Sequence, residues 1–405
     1  MTTQLGLAAK RRTLTTLFAL AALAGCGGGG GDAGGTPVPP PLGGGNGTLR
    51  AWLTDAPACG YDSVHVSVEK VRVHQSASAD EGAAGWSEIV LSPARRIDLL
   101  SLRNGVLSEL GQTTLAPGRY QQLRLVLATN SAAAPLANAV RPSGEAEVEL
   151  KTPSAQQSGL KLNVGIDIAA NQSADIVIDF DACKSVLRAG NSGNFILKPV
   201  LQATPRFVTG VQGFVEAALI GPLTTVSLQQ GGMAIKSTQP DATGKFVLQP
   251  VAPGSYTLVL AAPGRTTLTV TGVAVSGSSL TAIGSSAVPL LAPASASGNL
   301  VGSVSSAVAP IDALVRVTQS LTGGAMLEWT AVPVNASTGA YAHSVPVAAP
   351  LVAAYVPAPA PLVFASDNPA AGRYTVVATS GGITKSAGPL TLAAGATLTN
   401  NFTFP

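Results

Sequence analysis

Apolar and polar residues alternate along residues 160–168, and this pattern strongly limits what the chain can fold into. Every even-numbered position there is apolar, and the positions between are polar or glycine. A period of two turns one face of an extended strand toward a core. Residues 176–180 repeat the alternation, and Asn171 lies midway between the two runs. We therefore predict a β-hairpin over residues 160–181.

Short runs rich in valine, threonine and leucine recur between turn residues along most of the chain. The sequence contains 45 glycines and 29 prolines, and few stretches show helical spacing of apolar residues. The longest run, residues 64–73, changes phase at Glu69-Lys70, which predicts a β-bulge. Residues 86–91 and 96–102 are predicted to be two short strands. The pattern indicates an all-β chain of tandem antiparallel β-sandwich domains with Greek-key-like connections.

The first 26 residues have the features of a bacterial export signal. Three basic residues, 10–12, precede an apolar run of about a dozen residues, and small residues then lead to Cys26. The run is far shorter than the ~20 residues that span a bilayer. Residues 23–26, LAGC, resemble a lipobox, which implies a signal peptide over 1–25, cleavage before Cys26 and lipid on its thiol. An ordinary signal peptide, cut nearby and leaving the cysteine unmodified, is the alternative.

Residues 26–47 form a glycine- and proline-rich linker after the signal peptide. Such a linker is flexible and spans roughly 25 Å, so the folded part is expected to stand just clear of the membrane. Gly27 follows the cysteine, and its resemblance to lipoprotein sorting signals implies the outer membrane, on the periplasmic or the surface side. Of 24 basic residues, three lie in the signal peptide, which leaves 21 residues of each sign and argues against a nucleic-acid partner.

Cys59 and Cys183 are the remaining cysteines once Cys26 carries lipid. An exported protein folds in an oxidising compartment, so we predict a Cys59–Cys183 disulfide. Closing a loop of about 124 residues would stabilise the folded chain by roughly 4–5 kcal/mol in the chain-entropy model. Two buried free cysteines, or one exposed thiol that pairs between chains, are the alternatives.

Long strings within residues 48–206 resemble a known family of domains. They include GTLRAWLTDAPACGYDSVHVSVEKVRVHQS, which starts at Gly47, and DIVIDFDACKSVLRAGNSGNFILKPV, which starts at Asp175. These strings are similar to DUF4382, a family of bacterial lipoprotein domains. The resemblance implies a secreted β-sandwich-like domain, and it assigns no activity to it.

Residues 208–292 show a different pattern, in which turns lead directly into strands. Residues 241–246, DATGKF, and residues 253–258, PGSYTL, are the clearest examples. Together they resemble the carboxypeptidase-regulatory-like domain, a prealbumin-type β-sandwich that is grouped with carbohydrate-binding-like folds. Such modules act as spacers or as binding units, so the resemblance does not choose between these roles.

Residues 298–405 are predicted to be a degenerate further copy of the preceding domain. Residues 335–341, NASTGAY, and residues 372–376, GRYTV, are similar to its two turn-and-strand motifs. An insertion rich in alanine and proline, residues 346–371, interrupts the copy and leaves its register open.

Four aspartates are predicted to lie on the outward face of the 160–181 hairpin. Carboxylate oxygens that converge from adjacent strands suit Ca²⁺, so one hypothesis is a metal site. The alternative is a polar sheet face with one cross-strand ion pair, which contributes well under ~1 kcal/mol at a surface. The residues concerned are Asp167, Asp175, Asp179 and Asp181.

Trp52 is the candidate for stacking on a sugar ring, because it is out of phase with the apolar positions of its strand. Packing under a loop is the alternative for this residue, as it is for Trp86 and Trp329. His65 and His74 fall on one face of the same strand, roughly 30 Å apart, too far to share a metal ion. No Gly-x-Ser-x-Gly or His-Glu-x-x-His motif occurs. We therefore predict no enzymatic activity and no cofactor.

These features favour a non-catalytic, lipid-anchored protein of the cell envelope that binds or displays something through modular β-sandwiches. The expected partners are the membrane, through the N-terminal lipid, and a neutral glycan or an envelope protein. A secreted hydrolase, or an accessory subunit of an envelope enzyme, is the alternative from a different functional class. A plain spacer is the third hypothesis.

Overall fold

The computed structural model describes residues 45–55, 60–153, 159–190, 193–358 and 360–405. Strands dominate these residues, and the helices among them are single short turns, which confirms the all-β prediction. The described residues form three β-sandwiches in tandem, each with its own hydrophobic core between two sheets. The predicted signal peptide, Cys26 and nearly all of the predicted linker lie outside the described residues.

The first sandwich begins with a strand whose alternating residues Leu49, Ala51 and Leu53 are fully buried. It also contains a 3-10 turn, Leu99–Leu102, and a short helix, Ala182–Ser185 (α1). Its strands are Gly47–Asp55 (β1), Tyr61–His74 (β2), Ser87–Asp98 (β3), Ser108–Leu115 (β4), Gly118–Leu127 (β5), Ala139–Pro142 (β6), Val148–Lys151 (β7), Leu160–Ile168 (β8), Ser173–Phe180 (β9), Val186–Ala189 (β10), Asn194–Leu197 (β11) and Leu201–Pro205 (β12).

The core of the first sandwich lies between a sheet of order β12-β9-β1-β4 and a larger sheet of order β10-β11-β7-β6-β2-β5-β8, in which β3 also pairs with β2. The second sandwich follows directly and includes a 3-10 turn, Ala217–Leu219. Its own strands are Gly210–Phe214 (β13), Thr225–Gln230 (β14), Met233–Thr238 (β15), Lys245–Leu248 (β16), Gly254–Ala261 (β17), Leu268–Val275 (β18) and Leu280–Ile283 (β19).

The remaining strands come from the C-terminal part of the chain, which also has a 3-10 turn at Asn368–Ala370. Most of them build the third sandwich, and two of them join the second. They are Ser297–Ser305 (β20), Ala313–Ser320 (β21), Met326–Pro333 (β22), Ala340–Pro346 (β23), Leu351–Ala354 (β24), Ala365–Ser366 (β25), Arg373–Ser380 (β26), Ile383–Thr391 (β27), Thr397–Thr399 (β28) and Phe402–Thr403 (β29).

All three sandwiches share one order of pairing in a set of seven described strands, which are numbered here from first to last along the chain. The sets are β1–β5 with β8 and β9, β13–β19, and β20–β23 with β26–β28. The first strand pairs antiparallel with the fourth and parallel with the last. The second strand pairs antiparallel with the third and the fifth, and the fifth pairs with the sixth. The first sandwich therefore repeats the plan of the other two, with additional strands.

Equivalent residues occupy equivalent places in this shared plan. The hydroxyls of Tyr120 and Tyr256, at the start of the fifth strand, each donate a hydrogen bond to the carbonyl four residues earlier. Tyr374 starts the same strand in the third sandwich and donates to Pro346. A Cβ at Gly213 would lie 2.2 Å from a carbonyl oxygen, and one at Gly302 would lie 1.8 Å from another. Both first strands therefore require glycine where a neighbouring backbone approaches.

The predicted hairpin over residues 160–181 is wrong, because its two strands lie in opposite sheets. Strand β8 pairs with β5, whereas β9 pairs with β1 and β12. Asn171, with a φ of 58°, lies in the connection that carries the chain from one sheet to the other. Each strand still turns one apolar face to the shared core. Alternation is therefore the same whether two strands lie side by side or face each other across a core.

The β-bulge predicted at Glu69-Lys70 is confirmed, because the pairing of β2 shifts register between Val68 and Lys70. The two short strands predicted nearby are wrong. They form one strand, β3, which pairs along most of β2, and the chain then enters the 3-10 turn. Asp98 accepts a hydrogen bond from the N–H of Leu100 and so caps this turn.

The insertion at residues 346–371 adds two strands to the neighbouring sandwich. Strand β24 pairs in parallel with β18, and β25 pairs with β24, which extends that sheet to the order β15-β14-β17-β18-β24-β25. Tyr355, Leu362 and Phe364, from the connection between β24 and β25, pack against the second core. The second sandwich is thus completed by residues of the third.

Candidate functional site

Trp52 lies on the outer face of its sheet, as the alternation predicts. Its neighbours Ala51 and Leu53 are fully buried in the first core, whereas Trp52 is half-buried. The guanidinium carbon of Arg206 lies 4.2 Å from the centre of the indole ring, which is a cation–π distance. The indole N–H is buried and has no hydrogen-bond partner. A sugar ring at Trp52 would therefore have to share the indole with Arg206 or displace it.

The structure separates Asp167 from the other three aspartates. Asp167 is 73% exposed and lies 3.6 Å from the guanidinium of Arg119. Asp175, on the opposite sheet, lies 2.7 Å from Nε of Arg50 and 3.7 Å from Nη1 of Arg206. The prediction that Asp167 and Asp175 share one face of a hairpin is wrong, because β8 and β9 lie in opposite sheets. Asp167 instead lies beside one arginine, and Asp175 lies between two others.

Asp179 and Asp181 lie where the first sandwich meets the other two. Nζ of Lys236, from the second sandwich, lies 2.7 Å from Asp179, and its side chain is only 4% exposed. Asp181 accepts a hydrogen bond from the N–H of Lys184 at the start of α1 and lies 3.0 Å from its Nζ. Among the described residues, no three histidine, cysteine, aspartate or glutamate side chains are grouped to hold a metal ion.

Glu328 connects these ion pairs to the third sandwich. Its side chain is 6% exposed, and its carboxylate lies 2.7 Å from Nε of Arg316 and 3.8 Å from Nζ of Lys184. Burial alone would lower the pKa of Lys184, but the charges of Asp181 and Glu328 outweigh burial and raise this pKa. Lys184 therefore stays charged at neutral pH. The ion-paired residues between the sandwiches, which we call the junction cluster, are Asp179, Asp181, Lys184, Lys236, Arg316 and Glu328.

Gln229 joins the second and third sandwiches beside the junction cluster. Its Nε2 donates a hydrogen bond of 2.7 Å to the carbonyl of Glu328, and its Oε1 accepts one of 2.8 Å from the N–H of Glu328. Gln229 is 1% exposed. No sequence signal marks this residue, because its side chain lies on the outer face of β14, opposite the buried Val226 and Leu228. An outward position predicts contact with solvent, whereas this side chain contacts a neighbouring sandwich.

The first sandwich also contacts the other two through its loops. Oδ1 of Asn104 accepts a hydrogen bond from the N–H of Val247, and its own N–H donates to Oγ1 of Thr238. On the side of the third sandwich, Oδ1 of Asn335 accepts a hydrogen bond from the N–H of Gly190. Each sandwich therefore contacts both of the others.

A cavity of about 70 Å³ lies beside the junction cluster and is lined in part by Cys183, Ser227 and Trp329. It has room for a few water molecules, whereas small-molecule pockets measure about 300–1,000 Å³. The indole N–H of Trp329 is buried without a hydrogen-bond partner. A water bound in this cavity would satisfy the donor.

The histidines lie apart from the junction cluster. His65 pairs with Glu147, with 2.9 Å between Nδ1 and Oε1, and the ring centre of His74 lies 5.0 Å from that of Trp86. His343, in the third sandwich, is 8% exposed, and burial lowers its pKa to about 4. It is therefore neutral at physiological pH.

Cys183, in α1, is 7% exposed and disulfide-bonded. Cys59 and Cys26 lie outside the described residues, so the Cys59–Cys183 pairing and the lipidation of Cys26 stay predictions. Within the part of the chain that the structure describes, no helix has the length and apolar character needed to cross a bilayer.

Residues 46–199 match the model of DUF4382, a domain of unknown function. This match confirms the family resemblance of the first sandwich. The chain matches no curated protein. The carboxypeptidase-regulatory-like resemblance of residues 208–292 stays a prediction.

Several solved structures resemble parts of the chain. A type II cohesin–X-dockerin complex from Acetivibrio cellulolyticus is 24% identical over 21% of this chain and 58% of that chain, with a TM-score of 0.18. The TIE protein of Bacillus anthracis is 11% identical over 89% of this chain and 51% of its own, with a TM-score of 0.16. The pilus adhesin SpaC from Lactobacillus rhamnosus GG is 10% identical over 88% and 44%, with a TM-score of 0.14. Scores this low support no statement about what the chain does.

Proposed function

We propose that this chain is a non-catalytic, lipid-anchored protein of the cell envelope whose β-sandwiches bind or display a ligand. Lipid on Cys26 would hold it at the outer membrane, and the linker over residues 26–47 would keep the sandwiches just clear of the bilayer. The DUF4382 match at residues 46–199 agrees with this role and names no reaction.

The observation that carries this proposal is the way in which the junction cluster uses its carboxylates. Asp179, Asp181 and Glu328 each lie 2.7–3.0 Å from a lysine or arginine. Catalytic carboxylates need room for a substrate and a pKa suited to proton transfer, and the two cavities that these three line measure only about 70 and 40 Å³. Ion pairs between sandwiches instead fix three surfaces relative to one another, which suits binding or display.

The anchor is tested by replacing Cys26 with serine. Stable anchoring needs several acyl chains, because a single chain binds a membrane only marginally. A protein without the lipidated cysteine lacks these chains and should appear in the soluble fraction. Membrane fractionation of cells that express the wild type and Cys26→Ser measures the effect. A Cys26→Ser protein that still sediments with membranes, without aggregating, would contradict the anchor.

A neutral or weakly charged glycan is the ligand that we propose for the outer surface. The mature chain has 21 residues of each charge sign, which gives it no overall attraction for charged polymers. Stacking and a few hydrogen bonds would give a Kd of roughly micromolar to millimolar, and such binding should change little with salt.

A panel of glycans on the immobilised protein tests the ligand, and tryptophan variants test the site. Trp52→Ala should weaken binding, whereas Trp86→Ala serves as the matched control, because two arginines pack against the Trp86 indole and one, Arg206, packs against that of Trp52. An equal loss in both variants would exclude Trp52 as the site. No binding across the panel would favour display of the sandwiches themselves, and turnover of any polysaccharide would contradict the non-catalytic role.

A further inference from the structure

A second cavity lies at the edge of the second sandwich, away from the junction cluster. It measures about 490 Å³ and lies between residues 282–291 and residues 355–358 and 360–364 of the connection between β24 and β25. Ile283 and Leu290 line it and are 1% and 3% exposed, so they belong to the second core. Phe364, from the connection, lines it too.

The lining of this cavity is almost entirely apolar. Ser285 and Tyr355 supply its only polar side chains among the described lining residues, and none of these residues is charged. The junction cavity differs in this respect, because carboxylates and a lysine line it. A ligand that brings hydroxyl or amide groups into the larger cavity would lose their hydrogen bonds to water and find few replacements. The chemistry therefore selects an apolar ligand over a glycan or a peptide.

The mouth of the cavity continues this apolar character onto the surface. Val288 is 65% exposed and Leu291 is 57% exposed, and both line the cavity. Val363, next to the lining residue Phe364, is 77% exposed. Single exposed aliphatic residues are common, but several around an apolar cavity mark a binding site more often than chance exposure.

We propose that this cavity binds the acyl chain of a long-chain fatty acid, with the carboxylate left in solvent at the mouth. The volume falls within the range of about 300–1,000 Å³ that is usual for ligand pockets. At ~30 Å³ for a water-sized group, it has room for roughly 16 methylene-sized groups. A flexible acyl chain can fill an apolar space of this size without burying any unpaired polar group. The occupant is a separate molecule and not the lipid of the chain's own N-terminus.

Fluorescence titration with cis-parinaric acid, a fluorescent fatty acid, tests the proposal on the Cys26→Ser chain, which carries no lipid of its own. The wild-type cavity should bind the probe saturably, in the micromolar range. Val288→Asp and Leu291→Asp place a charge at the mouth and should each weaken binding by roughly tenfold or more. Val308→Asp is the matched control, because Val308 is 68% exposed on the third sandwich and lies outside the cavity lining. It should bind the probe as the parent does.

Exposed positions tolerate such substitutions, and equal thermal unfolding of all variants checks that they fold alike. Absence of saturable binding to the parent would overturn the proposal. Unchanged binding by Val288→Asp and Leu291→Asp, or an equal loss in Val308→Asp, would also overturn it, because the probe would then sit elsewhere. If lipidated wild-type protein refuses a probe that Cys26→Ser accepts, the chain's own lipid occupies the cavity and the assignment to a separate fatty acid fails.

Discussion

Replacing Gln229 with alanine should loosen the contact between the second and third sandwiches. The amide of Gln229 is 1% exposed and makes two hydrogen bonds to the backbone of one residue, Glu328. It also donates to Oγ of Ser227. Alanine removes all of these bonds and leaves the N–H and C=O of Glu328 without their partner, next to the buried carboxylate of the junction cluster.

The size of the effect follows from these two orphaned groups. A buried donor or acceptor left without a partner costs about 1–3 kcal/mol, so two of them cost roughly 2–6 kcal/mol. Water that enters the space left by the side chain would recover part of this loss. We therefore expect Gln229→Ala to lower the free energy of unfolding by about 2–4 kcal/mol.

Scanning calorimetry together with urea unfolding of the Cys26→Ser chain measures the effect. A cooperative set of sandwiches should melt together, and Gln229→Ala should make part of the chain melt earlier than the rest. Gln202→Ala is the matched control, because Gln202 is exposed on β12 and its loss should change stability by less than about 0.5 kcal/mol. If Gln229→Ala unfolds like Gln202→Ala, Gln229 does not couple the two sandwiches.

Three further predictions concern His343, Tyr256 and the pair of cysteines. Burial lowers the pKa of His343 to about 4, so between pH 6.5 and pH 4 the unfolded chain takes up a proton that the folded chain refuses. Stability should therefore fall by up to ~3 kcal/mol as the pH drops through this window, and urea unfolding of His343→Phe should lack this slope. Tyr256→Phe removes a hydrogen bond to Ala252 and should lower stability by about 1 kcal/mol in thermal unfolding. Native thiol labelling without reductant should find no free Cys59 or Cys183, and a stoichiometric reaction would contradict the disulfide.

The sequence predicted the type of most strands, because period-two alternation is a local property of the chain. The bulge at Glu69-Lys70 could be found in the same way, since one extra residue shifts the phase of all that follow. The sequence does not indicate which sheet a strand belongs to, and β8 and β9 are an example. Both strands alternate, and alternation reports which face is apolar but not which strand lies alongside.

The insertion at residues 346–371 was unpredictable for a related reason. Its strand β24 is short and pairs with β18, a strand of the preceding sandwich in which Leu268 lies opposite Leu351. Nothing in a four-residue run such as Leu351–Ala354 indicates whether it pairs within its own domain or with the next. The contact is decided by how the two sandwiches pack, which is a tertiary property.

The junction cluster shows the same limit for the candidate site. The sequence placed Asp179 and Asp181 outside the first core, and neither belongs to it in the structure. An outward position in a single isolated domain means solvent exposure, so exposure was the expectation for both residues. In a chain of packed sandwiches, an outer face contacts either solvent or a neighbouring sandwich. Asp179 contacts the second sandwich, because the buried Lys236 lies against it.

A plain spacer is hard to reconcile with contacts among all three sandwiches. In an extended array each module contacts only its neighbours along the chain, and reach grows with every module added. Here the first sandwich also contacts the third, through the Gly190–Asn335 hydrogen bond and the 2.7 Å ion pair between Lys198 and Asp312. Because of these contacts, the three sandwiches do not form an extended array. Their surfaces have fixed relative positions, and the chain of sandwiches is shorter than an extended one. Fixed positions matter for a protein that binds or displays, and they bring nothing to one that only separates two points.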